Sequence, residues 1–129
     1  MKAGRPLNLL LAAGAIIEIG TGLGALTFPE QLVTLLLNEP VTVTGIFLAR
    51  VFGAAIVALG MTWWVASKEP ESRGIRTCAP GFVAYNLGAA VVLTLQALAA
   101  TQPVPLLWPL SVLHAGLSLG FATLLLKWK

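Results

Sequence analysis

Ionisable side chains are what this sequence has least of. Lys, Arg, Asp and Glu together make up 10% of the residues, against about 25% in an ordinary soluble domain. So few charges cannot cover a water-facing surface, and lipid must be the solvent for most of the chain. Cysteine occurs once. Cys78 therefore has no partner for an intrachain disulfide, and beside a basic loop it reads as a reduced filler rather than a nucleophile. Histidine also occurs once. No Cys/His cluster exists to complete a zinc or haem site, and neither metal nor cofactor is expected.

Catalytic patterns are missing as well. No glycine-rich phosphate loop follows a strand, and no paired carboxylates occur. Ser111 and Ser118 flank His114, but no nearby acid would orient the imidazole. A non-enzymatic protein is the expectation.

Apolar length is what the chain does have. Hydrophobic residues reach 57% and the mean hydropathy is +0.89. A helix needs about 20 apolar residues to cross a ~30 Å hydrocarbon core. Four segments qualify: Leu7–Phe28, Val41–Ser67, Ala79–Ala100 and Leu106–Leu126. Helices satisfy their own backbone groups in lipid, and the alternating ten-residue strands of a barrel are not seen. The expected fold is an all-α membrane protein, a four-transmembrane-helix up-down-up-down bundle, forming a single integral membrane domain over residues 1–129.

Lys2 and Arg5 followed by Leu7 to Ala15 mimic a signal peptide, with Ala13-Gly14-Ala15 as its cleavage site. The apolar run continues to Phe28, long enough to span, so a retained first helix is expected. The net charge of +3 does not point to nucleic acid, because the cations mark topology. Lys2, Arg5, Lys68, Arg73, Arg76, Lys127 and Lys129 all lie outside the apolar runs. The connection Pro29–Pro40 carries Glu30 and Glu39 but no cation, the connection Lys68–Thr77 is basic, and Thr101–Pro105 is uncharged. Cationic loops are retained in the cytoplasm, which places both termini and the middle connection there.

Within the first connection, Pro29 to Asn38 is too short to span. Proline suits a first helical turn and Glu30 its positive end. A short interfacial helix is expected after the first span, with folding inward as a lid the alternative. Trp63, Trp64, Trp108 and Trp128 fall at span ends, where indoles meet headgroups. Pro105 and Pro109 fall in the first turn of the last span, where a helix absorbs them.

Each span carries one conspicuous polar residue: Glu18, Arg50, Asn86 and His114. A lone charge at membrane depth costs about 3 kcal/mol even on lenient scales, so these residues should face inward and find partners. Glu18 and Arg50 are expected to form a buried ion pair, with Asn86, His114, Tyr85 and Thr21 completing a buried polar network. Small and hydroxylated neighbours mark inward faces: Gly14, Thr21, Gly22 and Ala25 beside Glu18, Gly53 and Ala54 beside Arg50, Ser111 and Ser118 beside His114. Gly20-x-x-x-Gly24 and Gly116-x-x-x-Gly120 are of the same kind and admit a homo-oligomer. The alternative is a purely structural network.

The stretch Gly14-Ala15-Ile16-Ile17-Glu18-Ile19-Gly20-Thr21 resembles the first helix of small multidrug resistance transporters. That resemblance implies a membrane-embedded glutamate, Glu18, that takes up protons or cationic drugs. Arg50, the strong charge bias and the longer loops depart from that family. A second resemblance covers more of the chain. The glycine-rich first span ending in Phe28-Pro29-Glu30, followed by Leu48-Ala49-Arg50-Val51-Phe52-Gly53-Ala54-Ala55, is similar to small bacterial four-helix proteins of the DoxX-like kind. It implies a four-helix fold in a bacterial inner membrane.

Two functions are expected from these residues. In the first, the bundle binds a small or lipid-like ligand or serves as an accessory subunit of a larger complex, with Arg50 gripping an anionic or carbonyl group. In the second, it is a small proton-coupled exporter using Glu18 and His114.

Overall fold

The computed structural model describes residues 4–69 and 73–127. Lys2, Lys129, the expected belt residue Trp128 and the side chains of Arg5 and Arg76 lie outside the described part. The described chain is all-helical: α1 (Gly4–Thr27), α2 (Pro29–Leu37), α3 (Val43–Lys68), α4 (Arg73–Ala99) and α5 (Leu107–Leu126). Four of these helices are long and apolar enough to cross a membrane, and the chain is an integral membrane protein. The short α2 follows the first span as expected. Pro29 opens it, and Asn38 closes it in the left-handed region (φ 54°), with its N–H bonded to Thr34 O at 2.8 Å.

The long helices pack as two pairs, α1 with α3 and α4 with α5. The first pair is drawn together by glycines. A Cβ on Gly53 would lie 2.8 Å from Gly22 O, and one on Gly60 would lie 2.9 Å from Ile19 N and 3.1 Å from Ala15 O. Gly14 leaves room for the Trp63 ring. Close backbone approach of this kind is how helices gain packing where lipid removes the hydrophobic drive. Gly20 and Gly24 take no part in this pair, since a Cβ on either meets nothing within 4 Å.

Hydroxyls and one imidazole hold the second pair. Ser118 Oγ donates to Val83 O at 3.1 Å, His114 Nδ1 meets Asn86 Oδ1 at 2.9 Å, and Ser111 Oγ donates to Ala90 O at 3.0 Å. All three contacts fit a single antiparallel register, and Ser111 also meets Thr94 Oγ1 at 2.5 Å.

Trp63 joins the pairs. It is 0% exposed and makes edge-on contacts with Phe82, Phe121 and Tyr85 at centroid distances of 5.1, 5.5 and 6.0 Å. The sequence placed it in a headgroup belt, and the structure makes it the core residue. Trp64 does fit the belt: it is 42% exposed, with Lys68 Nζ 4.3 Å from its ring centre. α4 also starts six residues earlier than hydropathy implied. Ile75, Ala79 and Phe82 are all buried at spacings of four and three, so packing extends the helix past the point where the apolar run stops. Pro80 sits inside it.

Candidate functional site

Glu18 sits on the stripe of α1 that faces the rest of the protein, and only 2% of it is exposed. Its Oε2 accepts a hydrogen bond from the Tyr85 hydroxyl at 2.8 Å. Its Oε1 is buried with no hydrogen-bond partner among the described residues. The bond to Tyr85 crosses the seam between the two helix pairs, since Tyr85 belongs to α4.

The expected ion pair between Glu18 and Arg50 is not formed, and no buried salt bridge occurs among the described residues. The register of α1 against α3 explains why. With Gly22 against Gly53 and Ala15 against Gly60, Glu18 lies level with Leu59, whereas Arg50 lies level with Thr27, where α1 ends. That offset along α3 is about 13 Å, more than two helical turns. Arg50 is exposed, about two turns from the start of α3 at Val43. Depths counted along each span separately had brought the two charges within a turn of each other.

Asn86 is 0% exposed. Its Nδ2 donates to Phe82 O at 2.9 Å, and its Oδ1 holds His114. His114 is half-buried and meets Tyr85 edge-on at 5.9 Å. Of the six residues singled out from the sequence, Glu18 and Tyr85 form one contact and Asn86 and His114 another. Thr21 lines the same cavity as Glu18, and Arg50 stands apart.

That cavity has a volume of about 570 Å³ and lies in the seam between the helix pairs. Its polar lining is Glu18, Thr21, Tyr85 and His114, and apolar residues of all five helices supply the rest. Ligand sites are commonly apolar hollows of 300–1,000 Å³ with a few convergent polar groups. Leu36 of α2 is among the lining residues, so the short helix contributes to the cavity wall.

A family model described as a domain of unknown function (DUF8292) matches residues 12–128. The chain belongs to that family. No curated protein and no solved structure matches the sequence. In this DUF8292 protein, sequence reasoning found the polar side chains of the cavity but missed its apolar walls. Phe52, Ile56 and Gly88 line it. A run of apolar residues in a membrane helix does not say which of them face a hollow. No group of three or more His, Cys, Asp or Glu among the described residues is placed to hold a metal ion.

Proposed function

We propose that this DUF8292 protein binds a small lipid-like molecule in the cavity between its helix pairs. The carrying observation is Glu18 Oε1, a buried oxygen without a partner among the described residues on a residue that lines a mostly apolar hollow of about 570 Å³. Such an atom is costly to leave unpaired in low dielectric, and a bound molecule would supply the missing partner. The likeness to DoxX-like proteins fits a site in a bacterial inner membrane. The cations at both termini and around the α3–α4 connection support a cytoplasmic location for those parts.

Gly88 provides the test. It lines the cavity, and a Cβ placed on it meets nothing within 4 Å, so Gly88→Leu fills the hollow without a clash at its first carbon. Native mass spectrometry of protein extracted from membranes should show a small-molecule adduct on the wild type and lose it in Gly88→Leu, with the melting temperature retained. A wild-type protein without adduct, or a variant that keeps it, removes the reading.

A second reading draws on the same carboxylate: a small proton-coupled exporter in which Glu18 carries the proton. Proteoliposomes under a proton gradient separate the two. Uptake of a hydrophobic amine that disappears in Glu18→Gln would favour the exporter, and binding without gradient-driven uptake would favour the leading reading.

A further inference from the structure

The cavity has a polarity along its length. Glu18, Tyr85 and His114 surround one end, together with Ala84, and Thr21 follows about one turn of α1 nearer α2. The other end, lined by Leu36, Val92 and Leu93, is apolar and lies under α2. From Ala84 to Leu93 along α4 is about 13 Å. The same three residues, Leu36, Val92 and Leu93, also line a second hollow of about 210 Å³ between α2 and the α4–α5 pair. The apolar end therefore adjoins a largely apolar hollow beneath the short helix, in which Gln96 is the one polar residue of the lining.

This direction is the reverse of what a lipid of the adjacent leaflet would need. Such a lipid keeps its headgroup at the membrane surface, here the level of α2, and sends its tails inward. In the cavity the polar end is the deep one, and it presents a carboxyl group with no cation beside it to hold a phosphate. No cation of the described chain reaches Glu18, because Arg50 lies more than two turns away along α3 (E-to-R register set by Gly22 on Gly53). Tyr85 already serves Oε2. What the deep end lacks, among the described residues, is a donor directed at Oε1.

Resting on the binding role proposed above, we infer that the cavity takes a single-chain amphipathic amine, its ammonium on Glu18 Oε1 and its apolar body running toward α2. An ammonium supplies both the missing donor and a countercharge that the described residues do not bring to Glu18, and charge-assisted bonds of that kind are the strong ones. Val92, Leu93 and Leu36 bracket the apolar body, and the hollow under α2 admits a longer one.

Radiolabelled octylamine, 1-octanol and octanoate provide the test, measured by equilibrium binding to the full chain in nanodiscs against empty nanodiscs. Octylamine should bind saturably and at least about 10-fold more tightly than octanol, as expected for a charge-assisted bond over a neutral one. Octanoate should not bind above the empty discs. Glu18→Gln should remove the preference for the amine over octanol, and Gly88→Leu should abolish saturable binding of both. Equal binding of octylamine and octanol by the wild type, or preference for octanoate, overturns the assignment of an amine while leaving a binding cavity in place. That comparison stands even if Glu18→Gln does not fold. Absence of saturable binding by all three probes overturns the amine and the binding role together.

Discussion

Tyr85 and Glu18 are joined across the seam between the two helix pairs, hydroxyl to carboxyl oxygen, at 2.8 Å. Every other polar side-chain contact between long helices in the described chain runs within the α4–α5 pair. This one bond therefore ties α1 to α4, next to the aromatic contacts of Trp63. Polar contacts between membrane helices average about 0.6 kcal/mol in double-mutant cycles, with a maximum near 1.7. The Tyr85→Phe and Glu18→Ala pair should give a coupling toward the upper part of that range, because Glu18 is only 2% exposed and Tyr85 is half-buried. Reversible unfolding in bicelles measures it, and a coupling of zero would mean that the bond is not formed.

The same cycle applied to Arg50 and Glu18 should give no coupling. The two side chains are offset by about 13 Å along α3, and residues separated by more than 7–10 Å usually behave additively. Arg50→Ala alone should change stability by no more than about 0.5 kcal/mol, the usual size for an exposed site. A coupling above about 1 kcal/mol would restore the ion pair that the sequence pointed to.

That difference shows where sequence reading stops. The four spans were legible because hydropathy over twenty residues is a property of composition, and the short helix was legible from Pro29 and Glu30. The inward faces around Gly14, Gly22, Ser111 and Ser118 followed from residue size. Relative depth between helices was not legible. It is fixed by which glycine meets which backbone, and a slide of two turns along α3 leaves every one-helix pattern intact. For the same reason Glu18 was rightly placed inward while its partner was wrong: Tyr85, one position before the more conspicuous Asn86, reaches the carboxyl group. The start of α4 was missed because the buried Ile75 lies beyond the uninterrupted apolar run.

The glycine register makes its own prediction. Gly53→Ala and Gly60→Ala each force a methyl group against backbone atoms of α1, at 2.8 Å from Gly22 O and 2.9 Å from Ile19 N. Backbone cannot move aside as a side chain can, and overpacking of this kind costs about 1–3 kcal/mol. Gly20→Ala and Gly24→Ala point into open space and should be neutral or slightly stabilising. Thermal melts of the four variants in one detergent would decide. Equal losses across all four would mean that glycine content, and not this register, governs the α1–α3 contact.

Along the α4–α5 zipper the three contacts should differ in weight. Ser118→Ala removes a donor from Val83 O and should cost about 0.6 kcal/mol, near the membrane average. His114→Ala should cost more, about 1–3 kcal/mol, because it strands Asn86 Oδ1 in a residue that is 0% exposed. Replacing both partners with apolar residues of similar shape, as in the Asn86→Leu and His114→Leu double variant, should recover part of that loss. If His114→Ala melted at the wild-type temperature, the Asn86 contact would carry no structural weight, and His114 would be free to act on a ligand.

Trp63 and Trp64 are adjacent in sequence and opposite in role, which gives the most direct check on the core. Trp63 is 0% exposed and touches three other aromatic rings, whereas Trp64 is 42% exposed with Lys68 over its face. Trp63→Ala should cost about 3–5 kcal/mol, the range for truncating a large buried aromatic. Trp64→Ala should cost about 1 kcal/mol or less, since only an exposed cation–π contact is lost. The Trp63 indole nitrogen is buried without a hydrogen-bond partner among the described residues, so Trp63→Phe sacrifices ring volume but no hydrogen bond. It should retain more than half of the stability that Trp63→Ala loses. If instead Trp63→Phe were as damaging as Trp63→Ala, the indole N–H would have a partner, and the aromatic cluster alone would not account for how the two helix pairs are held together.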